Sequence, residues 1–152
     1  VDTKSLHAQR IAQISDTAAE FGPASIGPVI GPMYATLGER LAGAGIAFGP
    51  SAIATYEAAD SGVTVNAAFP VANHVTVTGD YDVVDLPAVD LAATTVHHGS
   101  MATIGETWEA LMEWVSANGY EPTGVCRELY IVSEPKPQNE WVTELQQPMR
   151  KA

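Results

Sequence analysis

Apolar residues recur at helical spacing in two stretches of the chain and at strand spacing through much of the rest. Met33, Tyr34, Leu37 and Leu41 form one stripe and predict a helix over 31–43. Ile104, Trp108, Leu111 and Val115 form a second stripe over 104–118, with Glu106, Glu109 and Glu113 on the opposite, solvated face. Thr103 and Glu106 have the spacing of a capping box, and Gly119 stands where a helix end favours glycine. Strand formers occupy 2–15, 51–57, 62–69, one or two segments of 74–97, 124–132 and 140–146.

That order is strand, helix, strand, strand, and then the same again. Residues support the repetition. "AGIAFGPSAIATY" (44–56) lies over "NGYEPTGVCRELY" (118–130), so that Gly45 meets Gly119 and Tyr56 meets Tyr130. Leu37 meets Leu111 at the same offset. "LHA" (6–8) resembles "LPA" (86–88), and "FPV" (69–71) takes the place of "QPM" (147–149), at separations that loop insertions would shift. The expected fold is α+β. Two βαββ units, approximately 1–73 and 74–152, form one curved antiparallel sheet, with two helices flanking a central cleft. The length suits a single domain over 1–152.

Composition narrows the partners. Seven basic residues against eighteen acidic ones give a net charge of −11, which cannot coat a phosphate backbone, so no direct nucleic-acid contact is expected. No apolar run reaches the ~20 residues of a membrane span. No basic start precedes a hydrophobic core, as a signal peptide requires. One cysteine cannot form an intrachain disulfide, which fits a reducing, cytoplasmic compartment. The start at Val1 reads as a piece of a longer chain.

The most unusual position is Glu128, inside the strand "GVCRELYIVSEP" (124–135). Alternation puts Glu128 on one face with Cys126 and Tyr130, and Arg127, Leu129 and Ile131 on the other. Arg127 is therefore not its partner. A carboxylate buried without a cation is costly. A site that keeps one is poised for a cation or a proton donor from outside. Tyr56, the repeat equivalent of Tyr130, should face the same cleft and offer a ring for stacking or for a cation. Tyr34 and Trp108 lie on the inner stripes of the helices, where core packing competes with a ligand role. Trp114 and Trp141 read as packing residues.

Several tempting motifs carry no chemistry. His97 and His98 point to opposite faces of a strand and cannot readily share a metal, and there is no HExxH and no paired CxxC. "GAGIAFG" (43–49) follows a helix and lacks phosphate-loop spacing. There is no G-x-S-x-G elbow, and Cys126 has no evident base. No metal and no cofactor is expected.

"VHHGSMATIGETWEALMEWVSANGYEPTGVCRELYI", followed by "WVTELQQPM", resembles the GyrI-like small-molecule-binding domains, also called AraC-type or bacterial-activator effector-binding domains. "GPMYATLGERLAGAG", "GPSAIATY" and "NAAFPV" resemble the weaker first repeat of that family. The resemblance implies the duplicated βαββ fold and an effector-sensing role, either as the C-terminal sensor of a MerR-type or AraC-type regulator, whose DNA-binding domain would lie upstream of Val1, or as a domain that stands alone. It also implies a pocket for lipophilic, often cationic, small molecules in which Glu128 is the strand glutamate. The family often has Pro-Tyr after the glycine where this chain has Ser100-Met101, so Met101 takes the place of a pocket aromatic. Position 54, equivalent to Glu128, is alanine, which leaves one carboxylate.

The expected binding residues are Glu128, Tyr130, Tyr56, Tyr34, Trp108 and Met101, and no catalytic residue is expected. Two alternatives stay open. One is a hydrolase of the family's cyclopropanoid branch, using Glu128 and Tyr56. The other is a protein-interaction module, which an open acidic cleft without an apolar floor would favour.

Overall fold

The computed structural model describes residues 1–77 and 79–152. Thr78, within the predicted 74–97 strand region, lies outside the described residues. The elements run β1 (Asp2–Leu6), β2 (Gln9–Ala18), α1 (Pro23–Gly43), β3 (Ile53–Ala58), β4 (Val63–Pro70), β5 (Asp82–Leu86), β6 (Val89–His98), α2 (Ile104–Ala117), β7 (Tyr120–Pro122), β8 (Cys126–Val132) and β9 (Val142–Lys151). All the pairings are antiparallel, in the order β1-β6-β9-β8-β3-β4-β2-β5, with β7 beside β9.

That order is unchanged when the halves are exchanged and the sheet is read from its other end. β3 exchanges with β8, β4 with β9, β2 with β6 and β1 with β5. The central seam, β3 against β8, pairs Ala54 with Glu128. Those two residues are separated by 74 positions, as are Tyr56 and Tyr130, so the pseudo-twofold axis passes between Ala54 and Glu128. Matching hydrogen bonds, Gly49 N to Pro70 O and Thr123 N to Pro148 O, are both 2.8 Å long. The short β7–β9 ladder is answered in the first half by a single bridge, Phe48 to Val71.

The sheet departs from the sequence pattern in the unexpected β7, in the extension of β9 to Lys151 and, most of all, at its first strand. The run 2–15 is two strands, broken at His7-Ala8. β1 pairs with β6 of the other half, whereas β2 pairs with β4 of its own. β5 makes the reciprocal exchange by pairing with β2. Each unit is therefore ββαββ with its first strand lent across. Hydrophobic periodicity cannot show such a change of partner, because both strands have the same period.

The first helix differs from expectation at its start, and the second, which begins at Ile104 as expected, differs in its cap. α1 begins at Pro23 and not at 31, and runs through Pro28 and Pro32. Each internal proline removes a backbone hydrogen bond, a cost of about 3 kcal/mol in an exposed helix. Ile26 and Val29 pack against the cluster around Ile30, Met33 and Val65, and this burial holds the first turns in helical form. Thr103 does not form the expected capping box: its side chain makes no cap hydrogen bond, and its hydroxyl donates to Ser100 O at 3.1 Å. A 3₁₀ turn over Met101–Thr103 precedes α2, and Ser100 Oγ accepts from Ala102 N at 3.2 Å. Gly119 does sit just past the helix end, with φ +81°.

Leu37 and Leu41 of α1, and Leu111 and Val115 of α2, are buried against the same face of the sheet. They fix both helices over that face and leave the space between their first turns as a cleft.

The turn between β3 and β4 depends on Gly62, whose φ is +84°. A β-carbon there would come within 2.2 Å of Ala18 O, a backbone atom that cannot swing away. Gly62→Ala is expected to lower the unfolding free energy by at least about 1–2 kcal/mol. Gly43→Ala, at the end of α1 with open space around it, should be neutral or stabilising by less than about 1 kcal/mol. Urea titration of both variants checks the contrast.

Candidate functional site

The pseudo-axis places one acidic side chain at the centre of the helix-facing side of the sheet. Glu128 is 3% exposed. Its Oε1 accepts from Tyr56 OH at 2.7 Å and from Tyr130 OH at 2.8 Å. Its Oε2 accepts from Trp108 Nε1 at 2.8 Å. β3, β8 and α2 thus each supply one donor. A carboxylate offers about four acceptor positions, so three are filled.

The helices present a second symmetric pair. Tyr34 and Trp108 stand 74 positions apart, like Tyr56 and Tyr130. Ile30 with Ile104 and Gly31 with Gly105 share that spacing. The chemistry is not symmetric, however. Trp108 reaches the carboxylate, while Tyr34 OH donates to Ile53 O at 2.6 Å. The Tyr34 ring meets Tyr130 and Phe69 edge-on, with centroids 5.9 and 5.5 Å away.

All three donors to Glu128 are neutral. Arg127 is buried on the opposite face, where Nη2 donates to Pro87 O at 2.9 Å, and burial lowers its pKa. The hydrogen bonds satisfy the geometry of the carboxylate but leave its charge without a counter-ion. Neighbouring acids register that charge. Burial, and then the field of Glu128, raise the hydroxyls of Tyr34, Tyr56 and Tyr130 well above the usual 10.0. The same two causes push the Cys126 thiol from 9.0 to about 11. The tyrosines therefore stay protonated, as donors must.

The site opens into a cleft of about 1710 Å³ between the first turns of α1 and α2. All six residues expected from sequence line it: Glu128, Tyr130, Tyr56, Tyr34, Trp108 and Met101. Met101 is half-buried and accepts a weak contact from Thr143 Oγ1, at 3.8 Å from its sulfur. Ile30, Ala52 and Ile104 give the cleft a buried apolar floor. Its acidic lining residues are Glu57, Glu109, Glu128 and Glu134, and no described lysine, arginine or histidine lines it. A smaller groove of about 520 Å³ between β2 and α1 lies apart from these residues.

Trp141 corrects the sequence reading. It lines the cleft, and its ring centroid is 6.4 Å from that of Tyr130. Trp114, on α2, instead stacks on Tyr120 and packs against the cluster around Leu111, Val115 and Leu145. Phe69, Gln138 and the exposed Phe21 also line the cleft and were not singled out by sequence. Phe69 carried a signal, since it lies in a matched repeat segment. Gln138 and Trp141 lie in a loop without a counterpart in the first half. His97 is structural: Nδ1 meets Thr107 Oγ1 at 2.7 Å and Nε2 meets Ser100 O at 2.8 Å. No cluster of three metal-ligating side chains is found among the described residues. No described helix is long and apolar enough to cross a membrane.

Sheet symmetry, paired helices and a central cleft define a duplicated small-molecule-binding fold. The chain belongs to the GyrI-like small molecule binding domain family, whose model matches residues 2–150. No curated protein matches it significantly. The EcmrR C-terminal domain is similar, at 24% identity and TM-score 0.80, over 99% of this chain and 97% of that one. In a cryo-EM structure of an EcmrR–DNA complex the likeness is 23% identity and TM-score 0.77, over 99% of this chain but only 57% of that one. SAV2435, solved bound to tetraphenylphosphonium, is 12% identical with TM-score 0.69, over 98% and 93%. At these identities the likenesses show the fold.

The raised tyrosine and thiol values set a pH dependence. A proton held more tightly in the folded state stabilises fully below the ordinary pKa and less as pH rises past it. The Cys126 contribution is lost between 9.0 and about 11, and those of the tyrosines from 10.0 upward. The urea midpoint is expected to fall steadily above about pH 9, and less steeply in Tyr130→Phe. An unchanged midpoint through that range contradicts the electrostatic reading.

Proposed function

We propose that this domain senses an amphiphilic, aromatic cation, which enters the cleft and supplies the missing counter-charge to Glu128. One observation carries the proposal: Glu128 is buried, held by three neutral donors, in a cleft with no described basic lining residue. A cation within ~4–6 Å recovers Coulomb energy that is large where water is excluded. Trp108, Tyr56 and Tyr130 add ring surface for stacking and cation–π contact. The net charge of −11 favours approach by cations. The tetraphenylphosphonium bound by SAV2435 is a ligand of this chemical class, on the same fold.

Sensing requires an output. Part of a DNA-bound chain shares this fold, which supports a role as the effector domain of a transcription regulator. The ligand would act by favouring one of two arrangements of the longer chain. DNA contact would then belong to another segment, because a net charge of −11 disfavours binding to a phosphate backbone.

The hydrolytic alternative is less well supported. A general base must present a free lone pair to water, and three of the roughly four positions on Glu128 are filled. The apolar floor likewise counts against a purely macromolecular docking surface.

Glu128→Gln keeps the size of the side chain and removes its charge. It is expected to weaken tetraphenylphosphonium binding at least tenfold, about 1.4 kcal/mol. Binding of a neutral triaryl phosphine oxide should change much less. Isothermal titration calorimetry makes the comparison, and equal losses for both ligands contradict the anchor role.

A further inference from the structure

The departures from symmetry fall on one side of the cleft. β3 and β4 are joined by the four-residue turn 59–62, no residue of which lines the cleft. β8 and β9, their equivalents, are joined by the nine-residue segment 133–141. Ser133, Glu134, Gln138 and Trp141 of that segment all line the cleft. The insertion has built a wall at one mouth only.

That wall is fastened. Gln138 Oε1 accepts from Met101 N at 3.0 Å and from Ser100 Oγ at 3.4 Å, which ties the loop to the start of α2. Trp141 Nε1 donates to Lys136 O at 2.8 Å, which braces the loop internally. The Trp141 ring continues the aromatic surface that starts at Tyr130. Glu134 is exposed at the rim, and it has no ion-pair partner among the described residues. The cleft, at about 1710 Å³, also exceeds what one compact ligand fills, since drug-sized sites run to roughly 300–1,000 Å³.

We infer that the 133–141 loop forms a second recognition subsite, in which Trp141 and Glu134 receive the far cationic head of an elongated, two-headed amphiphile. The inference rests on the proposed reading of Glu128 as the anchor for the first head. An aromatic or aliphatic spacer crosses Tyr130, and the second head meets a ring face and a carboxylate. This is the same recognition chemistry used at the centre of the cleft, in a wetter setting. Selection would then depend on ligand length as well as charge.

The test compares tetraphenylphosphonium with dequalinium, a bis-quaternary amphiphile, by calorimetry on wild type, Glu134→Gln and Glu128→Gln. Glu134 is exposed, so its substitution should leave folding intact. Glu134→Gln is expected to weaken dequalinium about threefold to tenfold and leave tetraphenylphosphonium within about twofold, because an exposed carboxylate beside a ring contributes modestly to holding a cation. Glu128→Gln should weaken both. If Glu134→Gln changes the two ligands alike, or leaves dequalinium unchanged, the second subsite is overturned, while the Glu128 result still stands. If neither cation binds the wild type, the anchor reading fails first and the subsite falls with it.

Discussion

A buried carboxylate held by neutral donors organises this molecule. Water would solvate Glu128 better than Tyr56, Tyr130 and Trp108 do, so its burial is maintained by the packing around it. The three donors come from three separate elements, so the carboxylate ties β3, β8 and α2 to one point. Burial, and then the field of Glu128, raise the pKa of Tyr34, Tyr56 and Tyr130 around it. The donors are fixed before any ligand arrives and need not rearrange, which suits the cation proposed for this site.

Duplication explains where the carboxylate sits. A twofold seam brings equivalent residues opposite one another, and at its centre they are direct cross-strand partners. Ala54 and Glu128 occupy those two places. A second carboxylate at position 54 would put two like charges side by side in a buried site, which raises the cost of ionising either. Alanine keeps the space open and the charge single. Symmetry thus supplies the aromatic walls in pairs, and asymmetry supplies the chemistry: one acid on the axis, one indole that reaches it, and one extended loop at a single mouth.

Much of this was legible in the residues. Period two placed Glu128 with Tyr130 and away from Arg127, and the repeat offset brought in Tyr56. Helical spacing found the stripes that bury Leu37 and Leu111 and that aim Tyr34 and Trp108. The rest was hidden for physical reasons. The first two turns of α1 carry Pro28, whose local preference opposes the helix until tertiary burial outweighs it. The exchange of β1 and β5 is a choice of partner, which leaves no mark on periodicity. Thr103 has the spacing of a capping box, but the 3₁₀ turn before α2 moves the cap to Ser100. Trp141 lies beyond an insertion, where the repeat offers no equivalent to read it against.

The most direct measurement is a crystal structure of this domain with tetraphenylphosphonium. The expected result places the phosphorus within about 6 Å of the Glu128 carboxylate, with Tyr56, Tyr130 and Trp108 still donating to it. A cation seated elsewhere, such as in the groove between β2 and α1, or a Glu128 side chain turned away from the bound ligand, would contradict it.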